Sequence, residues 1–273
     1  MTVGPVHHAE RLSIRGGIAG RGRRAVPEET AVALSFNGGT HAVMMATPAD
    51  FADFAVGFGL SEGIIEKPGD IESLDVVETP DGIDLQIWLT ADRAAPLIER
   101  RRRMAGPTGC GLCGLEMLED VMRPARRVAS QCRFAPRDIA TALAALPMAQ
   151  ALHRETRAVH GAGLWSRETG LVELREDVGR HNALDKLAGA LARQGTEAGD
   201  GLLLLTSRVS VEMVQKAAVI GAPVIVAVSA PTALALRTAE AAGITLCAIA
   251  RDDGFEIFTH PHRIAAEVTA DVS

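Results

Sequence analysis

Cys110 and Cys113 stand three residues apart in Thr108-Gly109-Cys110-Gly111-Leu112-Cys113-Gly114, with glycine outside each thiol and again between them. Glycine lacks Cβ and visits backbone conformations closed to other residues, so the segment reads as a mobile loop that carries thiols. The thiolate is the reactive form, and nearby guanidinium charge lowers a cysteine pKa. The run Arg100-Arg101-Arg102-Arg103 lies just upstream. A persulfide on such a loop can reach a donor and then swing to an acceptor. Nucleophilic sulfur handling by Cys110 and Cys113 is therefore the favoured chemistry.

Other readings stand beside it. As a string, Gly109-x-Gly111-x-x-Gly114 matches a dinucleotide-binding fingerprint, but an arginine-rich helix precedes it where a strand is required. A zinc site needs about four ligands. Only two cysteines cluster here, which leaves a site completed by histidine or by a second subunit. A thioredoxin-type pair belongs at a helix N-terminus, and these flanks are glycines. A glycine loop with incidental thiols is the plain alternative. Cys247 lies in the apolar strand Ile244–Ala250 and reads as a buried small hydrophobe. Cys132 falls in an arginine-rich connector and acquires no role.

A second group of polar residues gathers where strands feed helices. Glu176-Asp177-Val178-Gly179-Arg180-His181-Asn182-Ala183-Leu184-Asp185-Lys186 opens one helix, Thr206-Ser207-Arg208-Val209-Ser210 the next, and Ser229-Ala230-Pro231-Thr232 a third. Open α/β sheets bind ligands at such junctions, and helix N-termini favour anions. Arg180, Lys186 and Arg208 add positive charge, so a phosphate or pyrophosphate group fits, with His181, Ser207 and Ser229 beside it. Caps and surface ion pairs are the competing explanation. Near the end, Phe258-Thr259-His260-Pro261-His262-Arg263 sets two histidines and an arginine round a proline. Such a group can hold a nucleotide base and its phosphates, or it can be a solvated turn.

The elements that must position these residues come in two styles. Residues 1–26, rich in glycine and arginine, read as an irregular lead-in. Thr30–Phe36 and His41–Ala46 form a hairpin about Asn37-Gly38-Gly39. A helix follows, with Thr47 as cap, Pro48 at its first position and Gly63 at its end. Ile71–Thr79 and Ile83–Thr90 make a second hairpin, which completes a ββαββ unit. Ala91–Met104 reads as helix and Leu115–Met122 as a short one. Beyond, Ala135–Arg157 reads as one long helix kinked near Pro147. Then come strands at Val159–Trp165 and Leu171–Glu176, a helix from Arg180, and alternating short strands and helices to a last strand at Gly254–His260. The expected fold is α/β, α+β overall. It has a small N-terminal domain, 1–134, carrying the thiol loop, and a three-layer α/β/α domain with a mixed sheet, 135–273.

Composition closes off several functions. The 273 residues carry a formal net charge of −6, no Tyr and 3% aromatics, so neither a basic field nor base-stacking platforms point to nucleic acid. No apolar run of signal-peptide or membrane-spanning length is present, so no membrane association is expected. A cytoplasmic protein follows, in which paired cysteines are reactive or metal-binding and not a structural disulfide.

Cys110-Gly-Leu-Cys-Gly114, Glu176–Lys186, Thr206-Ser-Arg-Val-Ser-Val-Glu-Met213, Ser229-Ala-Pro231 and Phe258–Arg263 together resemble the FdhD family, the formate dehydrogenase accessory sulfur carriers. The resemblance runs from the first hairpin nearly to the end. It implies that Cys110 accepts persulfide sulfur from a cysteine desulfurase, with Cys113 assisting. It implies transfer to the molybdenum (or tungsten) bis-guanine-dinucleotide cofactor, which activates the formate dehydrogenase apo-enzyme. Phe258–Arg263 is the implied cofactor-binding segment, GDP a natural mimic, and a homodimer the implied assembly. The second domain would resemble the cytidine-deaminase fold without zinc. His181 is followed by Asn182-Ala183, so the deaminase H-x-E is missing, and no cysteine stands at Thr206–Ser210. The alternative is a chaperone that holds the cofactor without carrying sulfur.

Overall fold

The computed structural model describes residues 4–104, 124–251 and 253–265. The thiol loop 108–114 and the expected helix 115–122 lie outside the described residues. The chain groups into two compact units whose sequences interleave. One comprises Met1–Arg123, Gln150–Gly161 and Arg175–Gly195; the other comprises Pro124–Ala149, Ala162–Leu174 and Thr196–Ser273. Residues 150–161 and 175–195, which a contiguous boundary at 134/135 assigns to the C-terminal half, thus group with the N-terminal segments.

The first unit opens with a hairpin, β1 (Val6–Arg15) and β2 (Ile18–Pro27), in unbroken antiparallel register from Val6↔Pro27 to Arg15↔Ile18. Gly16 and Gly17, both at positive φ, make its turn. This corrects the irregular lead-in expected there. Both faces of the ribbon are largely exposed, so no buried face imposes the apolar alternation by which strands are recognised.

Next comes a mixed sheet in the order β4-β3-β6-β5, built from β3 (Thr30–Phe36), β4 (Gly39–Ala46), β5 (Ile71–Thr79) and β6 (Gly82–Leu89). The two expected hairpins are present, and they join through a parallel β3–β6 pairing. Helix α1 (Phe51–Ser61) crosses between them and buries Phe54, Ala55 and Phe58 in the cluster that holds Val32, Leu34, Phe36, Ile83, Leu85 and Ile87. It starts later than expected: Asp50 is the N-cap, and Thr47 has been drawn into the interior. Helix α2 (Ala91–Met104) has the expected bounds.

The long helix expected over Ala135–Arg157 is two helices, α3 (Pro136–Ala149) and α4 (Ala151–Thr156), and only α4 belongs to the first unit. The break has a local cause: the Glu176 carboxylate accepts the N–H groups of Leu152 and His153, both at 2.8 Å, and so caps a new helix start. The first unit also holds α5 (Arg180–Gln194), which meets α1 backbone to backbone. A Cβ on Gly57 would stand 1.7 Å from the Asp185 carbonyl oxygen, and one on Gly189 1.9 Å from that of Asp53. Only glycine permits this approach.

A six-stranded sheet runs β12-β11-β10-β9-β7-β8, with β7 (His160–Ser166), β8 (Gly170–Asp177), β9 (Leu202–Leu205), β10 (Val224–Ala227), β11 (Thr245–Arg251) and β12 (Gly254–Thr259). β9, β10 and β11 are parallel, while β7 and β12 run antiparallel to their neighbours. Leu202, Leu204, Val224, Val226 and Cys247 pack against Ile139, Ala142 and Leu146 of α3. The intervening Leu203, Leu205, Ile225, Ala227, Leu246 and Ala248 are buried as well, which explains the unalternating apolar runs. Helices α6 (Val211–Ile220) and α7 (Ala233–Ala242) each end on a glycine in the left-handed region, Gly221 and Gly243. Among the described residues no helix is long and apolar enough to cross a membrane.

Candidate functional site

Most of the Glu176–Lys186 segment serves the interior of the first unit. The fully buried Asp177 carboxylate accepts from Thr47 N–H (3.0 Å), Gly179 N–H (2.7 Å), Asn182 Nδ2 (3.0 Å) and Lys186 Nζ (2.6 Å). Lys186 also donates to the Thr47 carbonyl at 2.9 Å, and Thr47 Oγ1 accepts Val178 N–H at 3.1 Å. Asn182 reaches the Met45 carbonyl (2.8 Å), and Asp185 accepts from Ser61 Oγ (2.7 Å). Each charge here has a partner, as burial requires. Lys186 was expected among the ligand-binding cations. Its ammonium is wholly enclosed, so its role is to neutralise Asp177.

Arg180 and His181, at the start of α5, are only half buried. Arg180 Nε is itself covered and has no hydrogen-bond partner. Its charge helps to hold the His160 pKa below the ordinary histidine value; burial of His160 is the larger cause, and Asp177 opposes both.

In the second unit, β9 and β10 deliver their C-terminal loops side by side. Val228 N–H donates to Leu205 O (2.9 Å), Val209 N–H to Ala230 O (3.3 Å) and Thr232 N–H to Val209 O (3.0 Å). The loops feed the N-termini of α6 and α7. Thr232 caps α7 by accepting Ala235 N–H at 3.2 Å, whereas Ser210 Oγ turns to Glu212 (2.6 Å) and leaves α6 without a side-chain cap. Arg208 is exposed and Ser229 half buried, while Ser207 is buried, its hydroxyl donating to the Arg208 carbonyl at 3.1 Å. Ile249 sits beside them at φ 52°, a left-handed conformation that a β-branched residue adopts only under constraint, and its N–H donates to Ser229 O (3.3 Å). Such a residue stores about 1–3 kcal/mol of strain. Nothing in the sequence marks it.

The expected cofactor segment Phe258–Arg263 occupies the other end of this sheet. β12 is antiparallel to β11, with Thr259 opposite Leu246, so the segment lies where β9, β10 and β11 begin. Ser207, Arg208 and Ser229 lie where those strands end. About four residues of extended chain, roughly 13 Å, separate the edges. Two of the six residues are structural. Thr259 Oγ1 donates to Ile244 O (2.7 Å) and accepts Leu246 N–H (2.9 Å). Buried Arg263 donates to Ser130 O (3.4 Å) and Thr245 Oγ1 (3.2 Å). His260, left-handed at φ 45°, is pinned by Thr245 and by Glu240, whose carbonyl lies 2.9 Å from its ring nitrogen. Phe258, Pro261 and His262 are exposed. The His262 pKa is lowered by desolvation, then by Arg263, His260 and Arg133. Ser130, Thr245 and Glu240 hold the turn from distant sequence positions and escape sequence reasoning altogether.

Cys247 is fully enclosed, and burial pushes its thiol up to about 12. Cys132 is half buried, with its N–H on Ser130 Oγ at 3.1 Å. Cys110 and Cys113 lie outside the described residues. Among the described residues no group of three His, Cys, Asp or Glu is placed to hold a metal ion.

A mixed α/β protein with polar loops at both ends of one sheet, whose sequence carries a glycine-flanked pair of cysteines, is the class these features define. The chain belongs to the FdhD/NarQ family, whose model matches residues 27–265. It is 55% identical over 255 residues to an Agrobacterium fabrum protein named sulfur carrier protein FdhD, covering 93% of this chain and 94% of that one. A Brucella abortus protein of the same name is 53% identical over 261 residues, covering 95% and 96% of the two chains. The fold matches a crystal structure from Desulfotalea psychrophila, described as a candidate formate dehydrogenase accessory protein. That match has a TM-score of 0.73 and 28% identity, and covers 95% of this chain and 99% of the other.

Proposed function

We propose that this protein is a sulfur carrier required for formate dehydrogenase activity. The observation that carries the reading is the glycine-flanked Cys110/Cys113 pair in a chain whose relatives bear the name sulfur carrier. Cys247 does not compete for the role, because a thiol held at about 12 supplies almost no thiolate near neutral pH. The Cys110 thiolate attacks the outer sulfur of a cysteine desulfurase persulfide. That S–S bond breaks, the desulfurase thiolate leaves, and Cys110 keeps the sulfur as its own persulfide. Cys113 then attacks the inner sulfur. Hydrosulfide departs and a Cys110–Cys113 disulfide forms, so the dithiol supplies the two electrons that reduce sulfane sulfur to sulfide. With a proton, the hydrosulfide would replace an oxygen ligand on molybdenum in the bis-guanine-dinucleotide cofactor, which is the substrate, and the oxygen would leave as water. A cellular thiol reductant restores the pair.

The second unit would bind the cofactor. Arg208 and the uncapped start of α6 suit a phosphate or pyrophosphate. Phe258 and His262 offer exposed ring surfaces for a guanine. Arg180 and His181 are further candidates from the first unit. The fold would be of the cytidine-deaminase type with its zinc chemistry lost, and the assembly a homodimer. Partners would be a cysteine desulfurase and the formate dehydrogenase apo-enzyme.

Intact-protein mass spectrometry after incubation with a cysteine desulfurase and cysteine tests the carrier step. Wild type should gain one reducible sulfur, and Cys110→Ala none. No gain in wild type, with GDP still bound, would replace this reading by a cofactor chaperone that carries no sulfur.

A further inference from the structure

The first unit leaves two surfaces open that complement each other. Among the described residues the β1–β2 ribbon is tied near its base, where Arg24 donates to Thr156 O (3.4 Å) and His8 Nε2 lies 3.7 Å from Glu155 Oε1. Towards the tip, Leu12, Ile14 and Ile18 are 63%, 70% and 77% exposed. A two-stranded ribbon standing alone in water is marginally stable at best, so it needs a surface to lie on. The register places Leu12 and Ile14 on one face, with Arg21 opposite Leu12 and Arg23 opposite Glu10. In the ribbon Arg11, Arg15, Arg21, Arg23 and Arg24 face the single acid Glu10, although the chain as a whole carries −6.

The other surface is the side of the β4-β3-β6-β5 sheet turned away from α1. Across it run Val43, Ala33, Asp84 and Val77 in one row and Thr40, Ser35, Gln86 and Asp75 in the next. Val43, Met45 and Trp88 are 61%, 50% and 45% exposed. Asp84 is fixed in the middle by Ser35 Oγ (2.6 Å) and Gln86 Nε2 (3.0 Å). At one end a groove of about 420 Å³ is lined by Glu29, Glu78 and Asp81 among others. The face carries apolar side chains on its outer strands, at Val43, Met45 and Val77, and acids at Asp84, Asp75 and the groove, so its charge is opposite to that of the apolar and basic ribbon.

We propose that the ribbon of one copy of this chain lies across the outer sheet face of a second copy, and the reverse. Leu12 and Ile14 would cover Val43, Met45, Val77 and Trp88, while Arg21 and Arg23 meet Asp75, Asp84 and the acidic groove. Both surfaces are exposed in the same chain, so their complementarity is not consumed within it. Exchange of identical arms closes with two-fold symmetry. Together the arm, residues 6–27, and the receiving face match the roughly 20–30 residues a side of a stable interface. This assigns a surface to the homodimer proposed above and rests on that reading for the oligomeric state alone.

Light scattering after size exclusion tests it on the full chain. Leu12→Asp, Ile14→Asp and Ile18→Asp combined should weaken dimerisation at least about 30-fold, the scale of a central anchor lost, with the far-ultraviolet spectrum of the remainder retained. Arg21→Glu/Arg23→Glu should be monomeric alone, as should Asp75→Arg/Asp81→Arg. Mixed, the two should dimerise, because both ribbon-to-sheet contacts then pair opposite charges. A photo-crosslinker at position 14 should reach residues 43–45 or 77–88 of the other, isotopically labelled copy. A dimer that survives the triple substitution would overturn the ribbon while leaving the dimer intact. A monomeric wild type, crosslinks confined to one chain, or no recovery on mixing would overturn it too.

Discussion

Glu176–Lys186 and Phe258–Arg263 look alike in the sequence, each a dense group of charged and hydrogen-bonding side chains at the end of a strand. In the structure they have different relations to solvent. The first turns inward: Asp177, Asn182 and Lys186 are buried and bonded to one another, buried Asp185 accepts from Ser61, and Glu176 caps a helix. The second anchors itself by Thr259 and Arg263 and leaves Phe258, Pro261 and His262 in the open. Density of ionisable residues therefore does not separate a ligand site from a structural network. Partners do. Asp177 finds Thr47 and Asp185 finds Ser61, each more than a hundred residues away, and such partners relieve the need for a ligand.

That contrast can be broken most directly at Lys186. Lys186→Met strands the Asp177 charge in the interior and should cost about 3–5 kcal/mol in urea unfolding; a loss below 1 kcal/mol would mean that the pair is hydrated. Gly57→Ala, which drives a methyl group into the Asp185 carbonyl, should cost about 3 kcal/mol by the same measurement. At the opposite pole, Phe258→Ala and His262→Ala should leave stability within about 0.5 kcal/mol of wild type, as exposed positions do. GDP is too short to touch both edges of the sheet at once, so in calorimetric titration either this pair or Arg208→Ala should weaken its binding roughly tenfold, and not both. Equal GDP affinity in all three variants would sink the proposed ligand placement. The smallest effect concerns pH. The folded state lowers the His160 pKa, chiefly by burial, so the unfolded chain binds the proton more readily. Stability is then full above the unfolded value near 6.5 and falls as pH drops through the folded one. His160→Gln should flatten that part of the melting-temperature profile.

Much of the architecture is legible without coordinates because its signals are local. Gly221 and Gly243 terminate α6 and α7 where a left-handed residue is needed, and Asn37-Gly38 closes the β3–β4 turn. Length alone arbitrates the four-residue apolar runs Leu202–Leu205 and Val224–Ala227 as strands. What stays hidden depends on distance or on the absence of a buried face. The β1–β2 ribbon lacks apolar alternation because neither face is covered. The break at Gln150 needs Glu176, and the displacement of Thr47 from a helix cap needs Asp177 and Lys186. The antiparallel turn of β12 also lies beyond local reading, and it alone sends Phe258–Arg263 to the far edge of the sheet from Arg208.

Cys247 has a practical consequence. Its sulfur sits in the middle of the sheet on a strand paired on both sides, enclosed from solvent and with its thiol pushed up to about 12 by burial. An alkylating reagent can capture it only during the moments when the sheet comes apart. Its labelling rate, followed in Cys110→Ala/Cys113→Ala/Cys132→Ala protein, is thus a clock for opening of the second unit. It can be read while the native state predominates and without any denaturant.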